Sequence, residues 1–322
     1  MPSSSVKKRN TEKSIKNENK SEEKVDNSTE EKPKYRYGPM PKLSSQRMWS
    51  RSIMILGVLL YVWWTSKNES DQILAKQKQL YDKRYQMIDC DKEFLKEIRE
   101  YKGCAPRKCG RFISDQIVTA TEAETLLRLA QKAMSLGGSH GGATILDLHS
   151  GALSHGDKFI NVYSLESGKK VVSAAELAIY KIVRKKIQEA VASFFNVNPE
   201  SLHLTHPTFF SRLNNKDPKT PHDEYWHEHV DKETYESFHY TTLVYLNDYE
   251  VDFKGGRFFF LENEKKTHKN TTVEPRKGRV SMFTSGAENP HFVERVSVGT
   301  RYAITVSFTC DKTKAIVDPV LK

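Results

Sequence analysis

Fifteen consecutive residues without a charge, Ser52 to Ser66 (SIMILGVLLYVWWTS), interrupt a chain that is 29% charged overall. A helix through them would be ~22 Å long at about 1.5 Å per residue, short of a ~30 Å hydrocarbon core. If Arg51 snorkels, Met48 to Ser66 supplies 19 residues, which is enough to span. Trp49, Trp63 and Trp64 stand at the two ends, where interfacial aromatics belong. No small-x-small site closes the run and 51 residues precede it, which argues against a cleaved signal peptide. Residues 48–66 therefore read as an uncleaved transmembrane signal anchor.

Upstream, residues 1–51 hold 13 Lys/Arg, 7 Asp/Glu and only 10 apolar residues. Such a stretch cannot bury enough apolar surface to offset its ordering entropy, so 1–47 is expected to be a disordered basic tail. Residues 1–51 carry +6 of the +10 net charge (13 − 7), so the chain's basicity does not point to a nucleic-acid partner. Six Lys/Arg in the 20 residues before the run, against five in the 20 after it, lean toward a cytosolic N-terminus. All four cysteines (Cys90, Cys104, Cys109, Cys310) then face an oxidising lumen, where an even number suits disulfides. Cys104–Cys109 is the first pair expected, with Cys90 and Cys310 left open. Sequons occur at Asn19, Asn27, Asn68 and Asn270, and Asn270-Thr271-Thr272 is the one this topology would use for glycosylation.

Residues 67–110 read as a stem. Ile73, Leu80, Met87 and Phe94 recur every seven residues, a coiled-coil-like stripe that predicts a helix and leaves a homodimer through it open. Residues 112–118 (FISDQIV) look like a strand. Thr121-x-x-Glu124 and Ser173-x-x-Glu176 then read as capping boxes for two helices, making 111–201 a helical support region. From about Leu202 the period changes to short β-rich segments (202–212, 225–231, 238–246, 256–261, 279–283, 291–296 and 300–309) between Asn, Asp, Gly and Pro turns. Helices followed by such strands predict an α+β fold, with helices packed on a β-sandwich or jelly roll over 202–310. Residues 311–322 remain as a C-terminal tail.

Gly137-Gly138-Ser139-His140-Gly141 fits Gly-x-Ser-x-Gly in letters only, since a nucleophile elbow needs a strand before it and a helix after it. The histidines are more telling, six of the 11 lying between residues 203 and 239. In an extended segment residues two apart share a face, so His229 and Asp231 can grip one metal with His227 beside them. His222-Asp223-Glu224 also fits a looser His-x-acid pair. His291 opens another β-like segment. Two histidines and a carboxylate on one metal leave three octahedral positions open, the facial triad of non-haem Fe(II) oxygenases. A zinc hydrolase using His227, His229 and His291 is one alternative, though it leaves Asp231 and Arg301 without roles. A catalytically silent membrane adaptor working through stem and tail is another. Arg301 follows His291 past the Ser297–Gly299 turn, and its guanidinium can take a dicarboxylate's distal end in bidentate fashion.

In order, His229-x-Asp231, Tyr245-Leu246-Asn247, Gly255-Gly256-Arg257-Phe258, Pro275-Arg276-Lys277-Gly278, Asn289-Pro290-His291 and Gly299-Thr300-Arg301-Tyr302-Ala303 span about residues 203–309. This run resembles the 2-oxoglutarate- and Fe(II)-dependent prolyl 4-hydroxylase family. The resemblance implies a double-stranded β-helix with His229, Asp231 and His291 as iron ligands. Arg301 would hold the oxoglutarate C5 carboxylate, with a further hydrogen bond from Tyr245. It also implies Fe(II), 2-oxoglutarate and O2, with L-ascorbate as a further ligand. The reaction implied is oxidative decarboxylation to succinate and CO2, coupled to hydroxylation of a protein side chain. Together with the anchor, the layout is a single-pass type II membrane protein of the endoplasmic reticulum or secretory pathway, its oxygenase domain lumenal. Substrate-contacting loops cannot be picked out, so prolyl specificity does not follow.

Overall fold

The computed structural model describes residues 45–68, 72–166, 168, 171–262 and 270–320. Residues 1–44 of the basic tail, with Asn19 and Asn27, lie outside them. The chain falls into two units, residues 1–60 and 61–322. Helix α1 (Ser45–Asn68, 24 residues) begins in the first, and every side chain described along it is exposed. Among the described residues no helix is both long and apolar enough to cross a membrane. The uncharged run is short, and extending it to 48–66 takes in Arg51.

The stem is not a helix. Residues 72–98 instead form β1 (Gln72–Ala75), β2 (Arg84–Ile88) and the short α2 (Lys92–Ile98). Leu80 and Met87 are exposed while Phe94 is buried, so the sevenfold stripe never shares one face, and the case for dimerising through it falls away. Distant partners override the local helical pattern. The turn between β1 and β2 is held by Arg279, which donates to the carbonyls of Lys76 (3.2 Å) and Gln79 (2.7 Å) and pairs with Asp115 at 2.8 Å.

Next come β3 (Cys109–Ser114) and α3 (Ala120–Met134), whose capping box is Thr119 with Glu122 rather than Thr121 with Glu124. Glu124 pairs instead with Lys277. The support region is not purely helical, since β4 (Gly138–Ser139), β5 (Ala143–Leu146), β6 (Ala152–Gly156) and β7 (Lys158–Asn161) precede α4 (Ala174–Phe195). The Ser173/Glu176 box opens α4 as expected. Then follow β8 (His203–Leu204), β9 (Phe209–Asn214), α5 (Asp231–Thr234), β10 (Tyr240–Tyr245), β11 (Phe253–Lys254) and β12 (Phe258–Leu261). The last strands are β13 (Asn270–Val273), β14 (Val280–Thr284), β15 (His291–Val293) and β16 (Val298–Thr309). Of the expected 225–231 segment only His229 pairs, with His291.

The larger sheet runs β2-β3-β14-β10-β16-β9-β5-β6-β4, and the smaller runs β1-β13-β12-β15. Alternation along each strand sends successive side chains to opposite faces. Tyr240, Val244, Met282, Ile304 and Phe308 join the core built with the helices, whereas Leu243, Tyr245, Phe283 and Ala303 meet Phe258 and Phe260 of the smaller sheet. The result is a jelly-roll-like sandwich backed by helices.

The disulfides are Cys90–Cys109 and Cys104–Cys310, with Cα separations of 4.9 and 5.9 Å, and not Cys104–Cys109. Ile88 pairs with Cys109 across β2 and β3, which brings Cys90 alongside. The buried Cys104 is turned toward the end of β16 instead, its carbonyl accepting from the Tyr240 hydroxyl at 2.7 Å.

Candidate active site

His229 and His291 meet as a backbone pair, each N–H donating to the other's carbonyl at 3.0 and 2.9 Å. Their ring centroids are 4.3 Å apart. The two Nδ1 atoms face the carbonyls of His227 (3.0 Å) and Asn289 (2.9 Å). A carbonyl only accepts, so Nδ1 carries a proton in each ring and Nε2 is the atom left to face a metal. Val230 is extended and Asp231 opens α5, which brings the carboxylate to the same side. Asp231 Oδ1 lies 3.7 Å from both Nε2 atoms, and the three ligand atoms are all within 4.8 Å of one another.

The carboxylate is fixed from behind. Oδ2 accepts from Thr241 Oγ1 at 2.6 Å, and that hydroxyl lies 2.9 Å from Ser285 Oγ. His291 is buried among Phe258, Phe260 and Phe283, and burial pushes its pKa down to about 4, so the ring stays neutral. His229 is 40% exposed, and the site opens on its side. Two imidazoles and one carboxylate are a donor set suited to Fe(II). Thr241 and Ser285 carried no sequence signal, and Asn289 only as a letter of the Asn289-Pro290-His291 motif, because their roles depend on which carbonyl or carboxylate the fold sets beside them.

The competing residues stand elsewhere. His227 is exposed, its Nε2 2.5 Å from Glu224 Oε2, and it is outside the cluster, so no three-histidine zinc site forms among the described residues. Asp223 is buried in a loop clasp. It accepts from Ser139 Oγ, the backbone N–H of Ala143, Lys219 and Thr220, and Thr220 Oγ1. Burial works against its charge, but the hydrogen bonds outweigh it and hold the carboxyl below its usual range. Ser139, the would-be nucleophile, is spent as one of those donors.

A second polar group lies in the same interior. Arg301, on β16, is 1% exposed, with its guanidinium 5.4 Å from the Tyr245 ring centroid. Arg301 Nε and Nη2 and the Tyr245 hydroxyl find no hydrogen-bond partner among the described residues. Burial lowers the Arg301 pKa and raises that of Tyr245 to about 12. The arginine stem passes against Gly256 (φ +68°), where a Cβ would sit 3.0 Å from Arg301 Cδ. A buried guanidinium without a partner is costly, so this pocket fits an anionic group such as a carboxylate.

A jelly-roll-like sandwich with this triad and a buried arginine in one interior defines the class of 2-oxoglutarate- and Fe(II)-dependent oxygenases. Residues 210–309 match the 2OG-Fe(II) oxygenase superfamily. The chain is 48% identical over 292 residues to the 2-oxoglutarate and iron-dependent oxygenase domain-containing protein 3 of Xenopus tropicalis, covering 87% of this chain and 90% of that protein. The Homo sapiens protein of the same name is 46% identical over 288 residues, covering 85% and 88%. Prolyl 3-hydroxylase 1 of Gallus gallus is 31% identical over 217 residues, 62% of this chain but 29% of that protein. The chain belongs to the 2-oxoglutarate- and Fe(II)-dependent oxygenase family. It is a dioxygenase that uses Fe(II) and 2-oxoglutarate.

Proposed function

We propose that the protein hydroxylates a protein side chain, with His229, Asp231 and His291 holding Fe(II) and Arg301 and Tyr245 holding the distal carboxylate of 2-oxoglutarate. One observation carries this reading. A two-histidine, one-carboxylate cluster and a buried guanidinium whose Nε and Nη2 have no partner among the described residues stand on the face lined by Phe258, Phe260 and Phe283. When bound, iron supplies the chemistry that couples decarboxylation of 2-oxoglutarate, to succinate and CO2, to transfer of an oxygen atom from O2 into a C–H bond. The chain's own part is positioning and exclusion of water. The carbonyls of His227 and Asn289 orient the rings, Thr241 leaves one Asp231 oxygen free for the metal, and Phe258, Phe260 and Phe283 keep the buried side dry. A protein substrate is supported by the similarity to prolyl 3-hydroxylase 1 and would approach from the exposed side of His229. Comparing +16 Da protein modifications in cells with and without this chain tests it. No difference in any modified residue would overturn the protein-substrate reading.

We propose further that α1 anchors the chain in a membrane, with residues 1–51 cytosolic and residues 70–322 in the secretory lumen. Support comes from the uncharged run, its exposed apolar side chains, and the engagement of all four cysteines in disulfides, which suits an oxidising compartment. Asn270 opens β13, is only partly buried, and is the proposed glycan site. Alkaline extraction of membranes, followed by protease protection and glycan mapping at Asn270, tests this reading. A chain that is extracted, or a protease-accessible oxygenase domain without glycan, would overturn it.

A further inference from the structure

We propose that Ser281 makes an additional hydrogen bond to the distal carboxylate of 2-oxoglutarate, beside Arg301 and Tyr245. The proposal rests on the reading that those two residues bind that carboxylate. Ser281 lies on β14 directly across from Leu243 of β10, on the face that looks into the sandwich. It is fully buried, and its hydroxyl has no hydrogen-bond partner among the described residues.

The strand register places it. Leu243 pairs with Ser281 on one side of β10, and Tyr245 pairs with Ala303 on the other. Arg301 is two residues from Ala303 along β16, on the same face. Tyr245 is thus flanked diagonally by Ser281 and Arg301. On that shared face neither the Ser281 nor the Tyr245 hydroxyl has a partner in hydrogen-bond geometry among the described residues. Both are left to meet something else.

The donor arithmetic closes. A carboxylate has about four lone-pair positions. Arg301 Nε and Nη2 form a fork for two of them, and the Tyr245 and Ser281 hydroxyls supply the remaining two. The other unpartnered hydroxyls do not compete for this place. By alternation Thr242 faces the helices, Thr272 lies on β13 across from Phe259, and Ser307 lies across from Thr241 on the metal side.

Calorimetry on the full chain loaded with Mn(II), without O2, tests the proposal. Two probes are used: 2-oxoglutarate, and 2-oxopentanoate, which keeps the 2-oxo acid but lacks the distal carboxylate. Ser281→Ala should weaken 2-oxoglutarate about tenfold, the loss of one hydrogen bond to a charged group. Mn(II) affinity and 2-oxopentanoate binding should not change. Unchanged 2-oxoglutarate binding in Ser281→Ala, alongside a large loss in Arg301→Ala, would remove Ser281 alone. Unchanged binding in Arg301→Ala would remove the distal-carboxylate reading, and the proposal with it. Equal weakening of both probes would mean that Ser281 only supports the fold, which also overturns it.

Discussion

The two ends of the inner site are built in opposite ways. At the metal end the protein satisfies everything except the ligand atoms: Thr241 takes one Asp231 oxygen, and two backbone carbonyls take the imidazole N–H groups. At the other end Arg301, Tyr245 and Ser281 leave buried donors unmet among the described residues. The first end is preorganised by the chain, so the geometry stands before any ion arrives. The second holds a cost that an anionic ligand would relieve, which is why we propose it as the carboxylate site.

The sharpest way to break this contrast is Asp231→Ala, which removes the only anionic ligand. Metal binding and 2-oxoglutarate turnover should both be abolished, read by Mn(II) titration and succinate release, while His222→Ala and Glu224→Ala should change little. Arg301→Ala comes next. It should weaken 2-oxoglutarate by at least ~10-fold with metal affinity nearly intact, and Arg301→Lys should retain part of the binding as a point charge without the fork. If metal affinity fell equally, the two ends would not be separate. Thr241→Val should be milder, lowering metal affinity about 10-fold, at the low end for losing a residue that orients a ligand. Its effect on 2-oxoglutarate should appear only through the metal.

The smallest effect lies outside the site. Asp223 is charged and hydrogen-bonded in the fold, with its pKa lowered. Its contribution to stability is therefore present above the unfolded carboxyl value of ~3.9 and is lost as pH falls through the lower folded value. Asp223→Asn should reduce thermal stability at neutral pH, with the gap to the parent protein closing in acid. A gap independent of pH would mean that the charge is not what clasps the loop.

The His229-x-Asp231 spacing marked candidates in the sequence but left His222-Asp223-Glu224 and His227 as rivals. The full set with His291 and Arg301 came from the ordered motifs that resemble the prolyl 4-hydroxylase family; the fold gathers His229, Asp231 and His291 into one cluster. Thr241 and Ser281 were not legible in the sequence, since a hydroxyl gains its meaning from the register of β10 against β14 and β16. The same limit explains the stem. Ile73 and its sevenfold companions match a helix locally, but β1 pairs with β13 and β2 with β3, partners that no local period reveals. The Cys90–Cys109 bridge follows from that second pairing, and Cys104–Cys310 joins residues 206 apart in sequence.

Succinate formation by the purified full chain, supplied with Fe(II), O2 and 2-oxoglutarate and compared with Asp231→Ala, tests the central assignment most directly. The account predicts succinate from the parent protein and none above background from the variant. No succinate from the metal-loaded parent, or the same amount from Asp231→Ala, would contradict it.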